Sequence, residues 1–301
     1  MSAAGRGRPA RLGWLEPLAY LAPALLLLTL VMLVPLLVGI SYAFRNVQVF
    51  DPFDTGWVGL AHFRELLDDP SFWHAAGNTL WWTGLSLLFQ FLLGFGLALL
   101  LRRPFAGRRL VQAVVFIPWA VPTFLSGLAW AWLFNPVVGP LPHWMARLGL
   151  MAKPENLLAD PNWAMAGPIL ANVWYGIPFF AITLLAALHA IPGELYEAAE
   201  VDGASSWQRF TRLTLPFLAP TIAITVMLRT IWIANFADLI WVMTNGGPAD
   251  STQTLATYIF STAYTKLDFG YASAVAAALL ALLLLYGLAV LRLRRTLLVA
   301  A

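Results

Sequence analysis

The sequence predicts an all-α membrane protein with six transmembrane helices, and three observations support this fold class. First, 60% of the 301 residues are hydrophobic and 11% are charged, which leaves too little polar surface for a water-soluble domain. Second, six apolar stretches are long enough to cross about 30 Å of hydrocarbon as helices. Third, Lys and Arg cluster at alternate ends of these stretches, as expected in a chain that a bilayer orients. We therefore predict that residues 1–301 form a single membrane domain.

The six predicted spans occupy about residues 17–43, 78–101, 110–134, 164–188, 216–242 and 271–291. The first follows a basic leader, GRGRPARLG, but its apolar run PLAYLAPALLLLTLVMLVPLLVGISYAF far exceeds the roughly 7–15 residues of a signal-peptide core. It is therefore predicted to be a retained span. Because neighbouring helices satisfy freed carbonyls, we expect the spans to accommodate their internal prolines, which are Pro35, Pro118, Pro122 and Pro178.

Basic residues predict the orientation of the chain. Twelve of the eighteen Lys and Arg fall on one side of the membrane, namely Arg6, Arg8, Arg11, Arg102, Arg103, Arg108, Arg109, Arg209, Arg212, Arg292, Arg294 and Arg295. Five fall on the other side, namely Arg45, Arg64, Arg147, Lys153 and Lys266. By the positive-inside rule, both termini and the loop after the fourth span face the cytoplasm. The remaining basic residue, Arg229, lies inside the fifth span.

Several function classes are excluded by what the sequence lacks. There is no cysteine, and the four histidines, His62, His74, His143 and His189, show none of the spacing of a metal site. A phosphate-binding loop of the Walker type ends in Gly-Lys, but neither of the two lysines follows a glycine. The basic residues lie beside apolar runs rather than in a nucleic-acid-binding patch. The chain is therefore predicted to bind neither ATP nor nucleic acid and not to be an enzyme.

The loop between the fourth and fifth spans, residues 189–215, carries an unusual density of charge, and we name it the charged loop. Pro192 suits the start of a helix, Glu194 favours the positive N-terminal end, and Gly203 can adopt the left-handed conformation that ends it. These residues predict a short helix over about 192–202. Ala198 and Ala199 place small side chains on one face of this helix, so that another surface can approach closely beside Glu197.

A second short helix is predicted directly after the first. Ser205 and Gln208 have the spacing of a capping box, and Phe210, Leu213 and Phe217 then follow on one helical stripe. Pro216 leads into the fifth span. Two short helices at an angle would form a compact protrusion on the cytoplasmic side.

The charged loop resembles a known family. Glu197-Ala198-Ala199, three residues, Gly203, nine residues and then Leu213-Thr214-Leu215-Pro216 are similar to the cytoplasmic signature loop of permease subunits of bacterial ABC importers. The only departure is Leu213, where isoleucine is usual. Three stretches resemble the sugar-importer branch of the maltose and glycerol-phosphate type over nearly the whole chain, namely GLAHFRELLDDPSFWHAAGNTL, IPGELYEAAEVDGASSWQRF and TNGGPADSTQTLATYIF.

The resemblance implies a type I ABC importer permease fold, in which the charged loop forms a coupling helix seated in a cleft of a separate ATPase subunit. The implied coupling residues are Glu197, Ala198, Ala199, Gly203 and Pro216. The implied partners are a second, similar permease subunit, two copies of the ATPase, an extracytoplasmic solute-binding protein and membrane lipid. The implied location is the inner membrane of a bacterium or archaeon. No cofactor is expected, because the ATPase binds the ATP.

Arg229 is the strongest indication of a ligand. It lies near the bilayer centre, where a charge costs several kcal/mol unless it meets water, a partner or a ligand. Thr225, Trp232 and Phe236 share its helical stripe, and Asn172, Tyr175 and Phe179 repeat this spacing on the fourth span. Rings stack on the C–H faces of a sugar while polar groups meet its hydroxyls, so the mixture suits a sugar.

Positions similar to these line the midmembrane sugar site of the maltose-type permease. The candidate substrate-binding residues are therefore Tyr175, Gly176, Phe179, Arg229, Trp232, Phe236 and Asn235. Within this assignment Asn235 ranks below the others, and Asp238 is a further second choice. Gly176 is expected to let the ligand approach the backbone. Gln90 and His189 are interpreted as structural.

Three alternatives remain open at this stage. The polar groups around Arg229 are also typical of an interhelical cluster that only holds the bundle together. A cation in the pathway also suits a sugar phosphate, a polyol phosphate or another anion. A secondary transporter is disfavoured because no internal repeat is visible.

Overall fold

The computed structural model describes residues 15–51, 53 and 55–299, and the regular structure in these residues is helical. The basic leader with Arg6, Arg8 and Arg11 lies outside the described residues. The α-helices are α1 (Leu15–Leu28), α2 (Val34–Tyr42), α3 (Ala61–Asp68), α4 (Pro70–Arg102), α5 (Arg108–Ala120), α6 (Thr123–Leu133), α7 (Pro140–Arg147), α8 (Ala166–His189), α9 (Gly193–Val201), α10 (Ser206–Arg209), α11 (Leu215–Ala234), α12 (Asp238–Met243), α13 (Leu255–Tyr264) and α14 (Phe269–Val299).

Within the described residues, five helical stretches are long and apolar enough to cross a membrane, namely Ala19–Tyr42, Pro70–Arg102, Ala166–His189, Ser206–Met243 and Phe269–Leu293. A π-helical turn, Thr29–Leu33, joins α1 to α2 within the first. The sixth candidate span is the bent pair formed by α5 and α6. The prediction of six membrane-crossing segments is therefore confirmed when the bent pair counts as one span.

The third predicted span is not one continuous helix, which corrects the expectation for its prolines. Its axis turns by 97° between α5 and α6. Pro118 lies inside α5 and is accommodated, but Pro122 breaks the helix. The residue before a proline is disfavoured in the helical conformation, and Val121 is extended, with φ −92° and ψ 126°. A proline inside the predicted span is therefore tolerated at position 118, whereas the one at position 122 ends the helix.

The fifth predicted span begins earlier than expected. The helix starts at Ser206, passes through a π-helical turn at Phe210–Thr214 and continues as α11. The predicted second short helix of the charged loop is therefore the first part of this span, not a separate element. Pro216 follows this π-helical turn directly, and a local π-helical adjustment of this kind accommodates a proline inside a membrane helix.

The centre of the bundle is the crossing of α4 and α8. A Cβ at Gly94 on α4 would lie 2.6 Å from Cβ of Phe180 and 2.9 Å from the carbonyl oxygen of Ile177. Small residues at such crossings let helix backbones approach closely. Leu184 and Leu188 are buried beside this contact. Packing of α4 on α8 therefore sets the geometry from which α11 and the cavity are built.

The predicted extracytoplasmic end is tied together at Asp69, which caps α4 through Ser71 N–H at 2.8 Å. The hydroxyls of Tyr258 on α13 and Tyr271 on α14 donate to Asp69 Oδ2 at 2.6 and 2.7 Å. Burial raises the pKa of Asp69, but these hydrogen bonds and the nearby Lys266 outweigh it and leave the pKa below its usual value. Three helices are thereby joined at one carboxylate.

Candidate functional site

A cavity of about 460 Å³ opens beside α5, α8 and α11. Its lining residues are Trp119, Asn172, Tyr175, Arg229, Ile231, Trp232, Ile233, Asn235 and Phe236. Its volume falls within the range of small-molecule binding sites, which are about 300–1,000 Å³. It combines aromatic walls with a cation and two amides, which is the mixture of side chains that sequence reasoning assigned to a ligand.

Aromatic rings form two walls of the cavity. Tyr175 stacks on Phe236 with ring centroids 5.8 Å apart and an interplanar angle of 22°. On the other side, the centroid of Phe179 lies 5.5 Å from that of Trp232 and 6.1 Å from that of Trp119. Phe179 is only 7% exposed and supports Trp119 and Trp232 from behind. The rings of Trp119 and Trp232 are therefore held in place by packing against Phe179.

Arg229 lies at the back of this cavity and is only 4% exposed. Its Nε donates to Oε1 of Gln90 at 2.7 Å. The guanidinium carbon lies 6.0 Å from the ring centroid of Tyr175 and 5.9 Å from that of Trp232, so the cation also interacts with the aromatic walls. One edge of the guanidinium is therefore bound to α4, while the residue still lines the cavity.

Gln90 is the residue that links α4 to both cavity helices. It is fully buried, and its Nε2 donates to the carbonyl oxygen of Asn172 at 2.9 Å. Gly176 makes room for it, because a Cβ at that position would overlap the Gln90 amide. The expectation that Gly176 gives a ligand access to the backbone is therefore wrong: its open space is filled by Gln90. The structural interpretation of Gln90 agrees with these contacts.

The structure brings five of the seven candidate residues to the cavity lining, namely Tyr175, Arg229, Trp232, Asn235 and Phe236. Gly176 and Phe179 pack behind it. Asp238, a second choice, lies away from the lining and accepts a hydrogen bond from Thr123 Oγ1 at 3.0 Å, which ties α12 to α6. Five candidates therefore line one cavity, Gly176 and Phe179 support it, and Asp238 belongs to a different contact.

Two lining residues, Trp119 and Asn172, are absent from the candidate set that sequence reasoning gave. Trp119 comes from α5, and no signal in the sequence pairs that helix with α8 or α11. Asn172 shares the helical stripe of Tyr175, but its buried side-chain amide has neither its oxygen nor its nitrogen hydrogen-bonded within the described residues. An unsatisfied buried amide is costly, and Asn172 is 0% exposed, so a polar group could reach this amide only if the surrounding side chains moved.

The charged loop follows its predicted local structure closely. The helix α9 begins at Gly193, with Pro192 as the N-cap rather than the first helical residue. Gly203 has φ +76°, the left-handed conformation that ends a helix. Ser205 and Gln208 form the predicted capping box through bonds of 2.8 and 3.3 Å. The turn between the two helices is therefore specified by residues within it.

The charged loop is stabilised by hydrogen bonds between its own residues, while several of its side chains are exposed to solvent. Arg209 donates to Glu200 at 2.8 Å, and the hydroxyls of Tyr196 and Thr214 lie 2.8 Å apart. Glu197 and Ala198 are exposed, and so is Val201, at 88%. The loop connects α8 directly to α11, the two helices that contribute most of the cavity.

His189, interpreted as structural, joins the end of α8 to the start of α5. Its Nε2 lies 3.2 Å from Nη2 of Arg108. Among the residues that the structure describes, no group of three His, Cys, Asp or Glu is placed to hold a metal ion.

Comparisons with known proteins agree with this geometry. Residues 90–298 match the family model described as binding-protein-dependent transport system inner membrane component. The chain is 36% identical over 278 residues to the sulfoquinovosyl glycerol transport system permease protein SmoG of Agrobacterium fabrum, covering 92% of this chain and 89% of that protein. It is 34% identical over 288 residues to the trehalose/maltose transport system permease protein MalF of Thermococcus litoralis, covering 96% and 95%.

A solved structure is also similar over nearly the whole chain. It is a bacterial ABC transporter involved in the import of the acidic polysaccharide alginate, with a TM-score of 0.81 and 28% identity, covering 94% of this chain and 96% of that one. The helical arrangement is therefore that of an ABC importer permease.

Proposed function

The chain belongs to the family of binding-protein-dependent transport system inner membrane components, and on that premise we propose that it is the permease subunit of an ATP-driven importer of sugars. The observation that carries the proposal is that α8 and α11 line one cavity and are joined directly by the charged loop. A change in the loop is therefore transmitted along the same two helices that hold the substrate.

The cavity supports a carbohydrate as the substrate class. Tyr175, Trp232 and Phe236 offer ring faces for sugar C–H groups, while the exposed amide of Asn235 is available to a sugar hydroxyl through its side-chain oxygen. The relatives described above include a permease for trehalose and maltose. The proposed substrate site consists of the cavity-lining candidates, with Trp119 and Asn172 added, and with Gln90, Gly176 and Phe179 as support.

A sugar that carries a negative charge is a second candidate substrate. Within the described residues, no carboxylate lies within 4.0 Å of the nitrogens of Arg229, so its charge is not neutralised by an ion pair. One solved relative belongs to an importer of an acidic polysaccharide. Competition between a neutral disaccharide and a sugar phosphate or uronate separates the two candidates, because only the charged one gains from Arg229.

The proposal requires partners that hydrolyse ATP and deliver the sugar. The chain contains no Gly-Lys phosphate loop, so ATP is hydrolysed by two copies of a separate subunit. We assign Glu197, Ala198, Ala199, Gly203 and Pro216 to the contact with that subunit. The first three lie on α9, Gly203 ends that helix, and Pro216 lies at the start of α11. A second permease subunit completes the pathway, and an extracytoplasmic binding protein supplies the sugar. Both termini and the charged loop are assigned to the cytoplasm.

Transport in proteoliposomes tests the proposal. The chain is reconstituted with its partner subunits and binding protein, and uptake of labelled trehalose or maltose is measured with and without ATP in the interior. We expect uptake only with ATP, and we expect Glu197→Lys to reduce both uptake and sugar-stimulated ATP hydrolysis while the complex remains assembled. Uptake driven by an ion gradient without ATP would show a secondary transporter instead. Full stimulation in the Glu197→Lys complex would remove the coupling assignment.

A further inference from the structure

A second cavity, of about 510 Å³, lies at the end of the bundle that carries the charged loop. It is bounded by the last turn of α4, by α9 and by the start of the Ser206 helix. The lining residues that matter here are Arg102, Arg103, Arg209, Tyr196, Leu99 and Phe210. None of them belongs to the proposed substrate site or to the proposed ATPase contact.

Three arginines make this cavity strongly basic. Arg209 is paired with Glu200 at 2.8 Å, and the guanidinium carbon of Arg102 lies 4.2 Å from the ring centroid of Tyr196. In residues 15–51, 53 and 55–299, no carboxylate lies within 4.0 Å of the nitrogens of Arg102 or Arg103. Two positive charges in the cavity are therefore left for a negatively charged occupant.

An apolar column leads away from the arginines along α4. Phe91, Phe95 and Leu99 recur every four residues and are half-buried. The ring centroids of Phe91 and Phe95 are 5.7 Å apart, and those of Phe95 and Phe210 are 6.1 Å apart. The twelve residues from Phe91 to Arg102 span about 16 Å of helix. A surface with a basic end and an apolar body of this length fits a phosphate group attached to an acyl chain.

The depth of the cavity agrees with such an occupant. Arg102 is the last residue of α4, a membrane-spanning helix, so the arginines lie at the level of lipid headgroups. Trp207 lies beside Phe210, with centroids 5.8 Å apart, and is 71% exposed. Exposed Trp is enriched at the membrane–water interface. Basic pockets between transmembrane helices at this level bind anionic lipid headgroups.

We propose that this cavity binds one anionic phospholipid, with its phosphate against Arg102 and Arg103 and an acyl chain along Phe91, Phe95 and Leu99. Tyr196 and Arg209 belong to the charged loop, so the bound lipid braces that loop against α4. The proposal rests on neither the sugar nor the ATPase assignment. It requires only that the chain lies in a bilayer.

Native mass spectrometry of the protein, purified in mild detergent with its copurifying subunits, tests this site. Dioleoyl phosphatidylglycerol and dioleoyl phosphatidylcholine are titrated separately, and bound lipid is counted. We expect tighter binding of phosphatidylglycerol, and we expect Arg102→Gln with Arg103→Gln to weaken it by about fivefold for each arginine. Arg109→Gln with Arg292→Gln is the matched control, because it removes the same charge at exposed residues outside the cavity and should leave the affinity unchanged.

Four outcomes would overturn the proposal. Equal weakening in both double variants would show a general surface charge. Displacement of phosphatidylglycerol by millimolar glycerol phosphate would show a site for a soluble anion. Loss of copurifying subunits from the Arg102→Gln, Arg103→Gln variant, with lipid binding retained, would show a protein contact. If that variant does not fold, Arg103→Gln alone is measured, since Arg103 is exposed, and an unchanged affinity there would also exclude the site.

Discussion

The cavity around Arg229 and the charged loop are joined by the same two helices, but the key charged side chain is buried in the cavity and exposed in the loop. Arg229 is 4% exposed and binds Gln90 on a neighbouring helix. Glu197 is exposed and has no ion pair within the described residues. A charge in the membrane needs a polar partner inside the protein, whereas a charge at the loop is solvated and remains available to another chain.

This difference separates the expected effects of substitution in the two regions. Cavity residues hold both the bundle and the proposed substrate, so changes there should alter stability, substrate affinity or both. Loop residues are stabilised by local hydrogen bonds, so changes there should alter coupling while substrate affinity persists. The following substitutions test this separation, from the largest expected effect to the smallest.

Arg229→Ala should have the largest effect. Losing a hydrogen bond from a charged donor costs about 1.5–3 kcal/mol, so apparent substrate affinity should fall by about ten- to a hundredfold in a competition assay with several sugars and one sugar phosphate. Thr230→Ala is the control, because it removes an interhelical bond to Tyr286 at 3.1 Å outside the cavity lining. An unchanged preference order and affinity for Arg229→Ala, with only reduced stability, would make it a packing residue.

Gly176→Ala should destabilise the bundle through Gln90. A methyl group at Gly176 overlaps the Gln90 amide, and overpacking of this kind costs about 1–3 kcal/mol. The midpoint of thermal unfolding of the purified protein should fall. Gly96→Ala on α4, where a Cβ has open space, should cause no loss. Gln90→Ala by itself also removes the hydrogen-bond partner of Arg229, so the cost of Gly176→Ala is compared in the wild-type and Gln90→Ala backgrounds. We expect a smaller cost in the Gln90→Ala background, and an equal cost in both would show that Gln90 is not the residue displaced.

Gly203→Val should affect the charged loop alone. Its φ of +76° is unfavourable for a residue with a Cβ, at about 1–2 kcal/mol. Substrate-stimulated ATP hydrolysis should fall while substrate affinity stays at the wild-type value. Gly193→Ala is the control, since that glycine has open space and no positive φ. A parallel loss of substrate affinity would contradict the separation between the two regions.

Ser205→Ala should give the smallest effect. It removes one side of the capping box at the start of the Ser206 helix, which is worth about 1 kcal/mol. Hydrogen exchange should speed up in the first turn of this helix and remain unchanged in α8. Faster exchange around Asn172 as well would mean that the loop and the cavity unfold together.

Local features of this protein could be predicted from the sequence. The charged loop is an example, because Gly203 and the Ser205–Gln208 capping box act within a few residues of one another. The six membrane-crossing segments follow from composition and run length, which are also local properties. Pro122 marks the limit of this approach, since the same residue type is accommodated at Pro118 and breaks the helix four residues later.

The sequence by itself determined the fold class, the family of importer permeases and the form of the charged loop, because each depends on residues close together in the chain. Only the tertiary structure decided what surrounds Arg229. Gln90 lies 139 residues away in sequence and Asn172 lies 82 residues from Gln90, and no periodicity within one helix specifies which residue of another will face it. Hydrocarbon offers no hydrogen bonds, so a buried guanidinium is satisfied by whichever polar side chain the packing of α4, α8 and α11 brings to it.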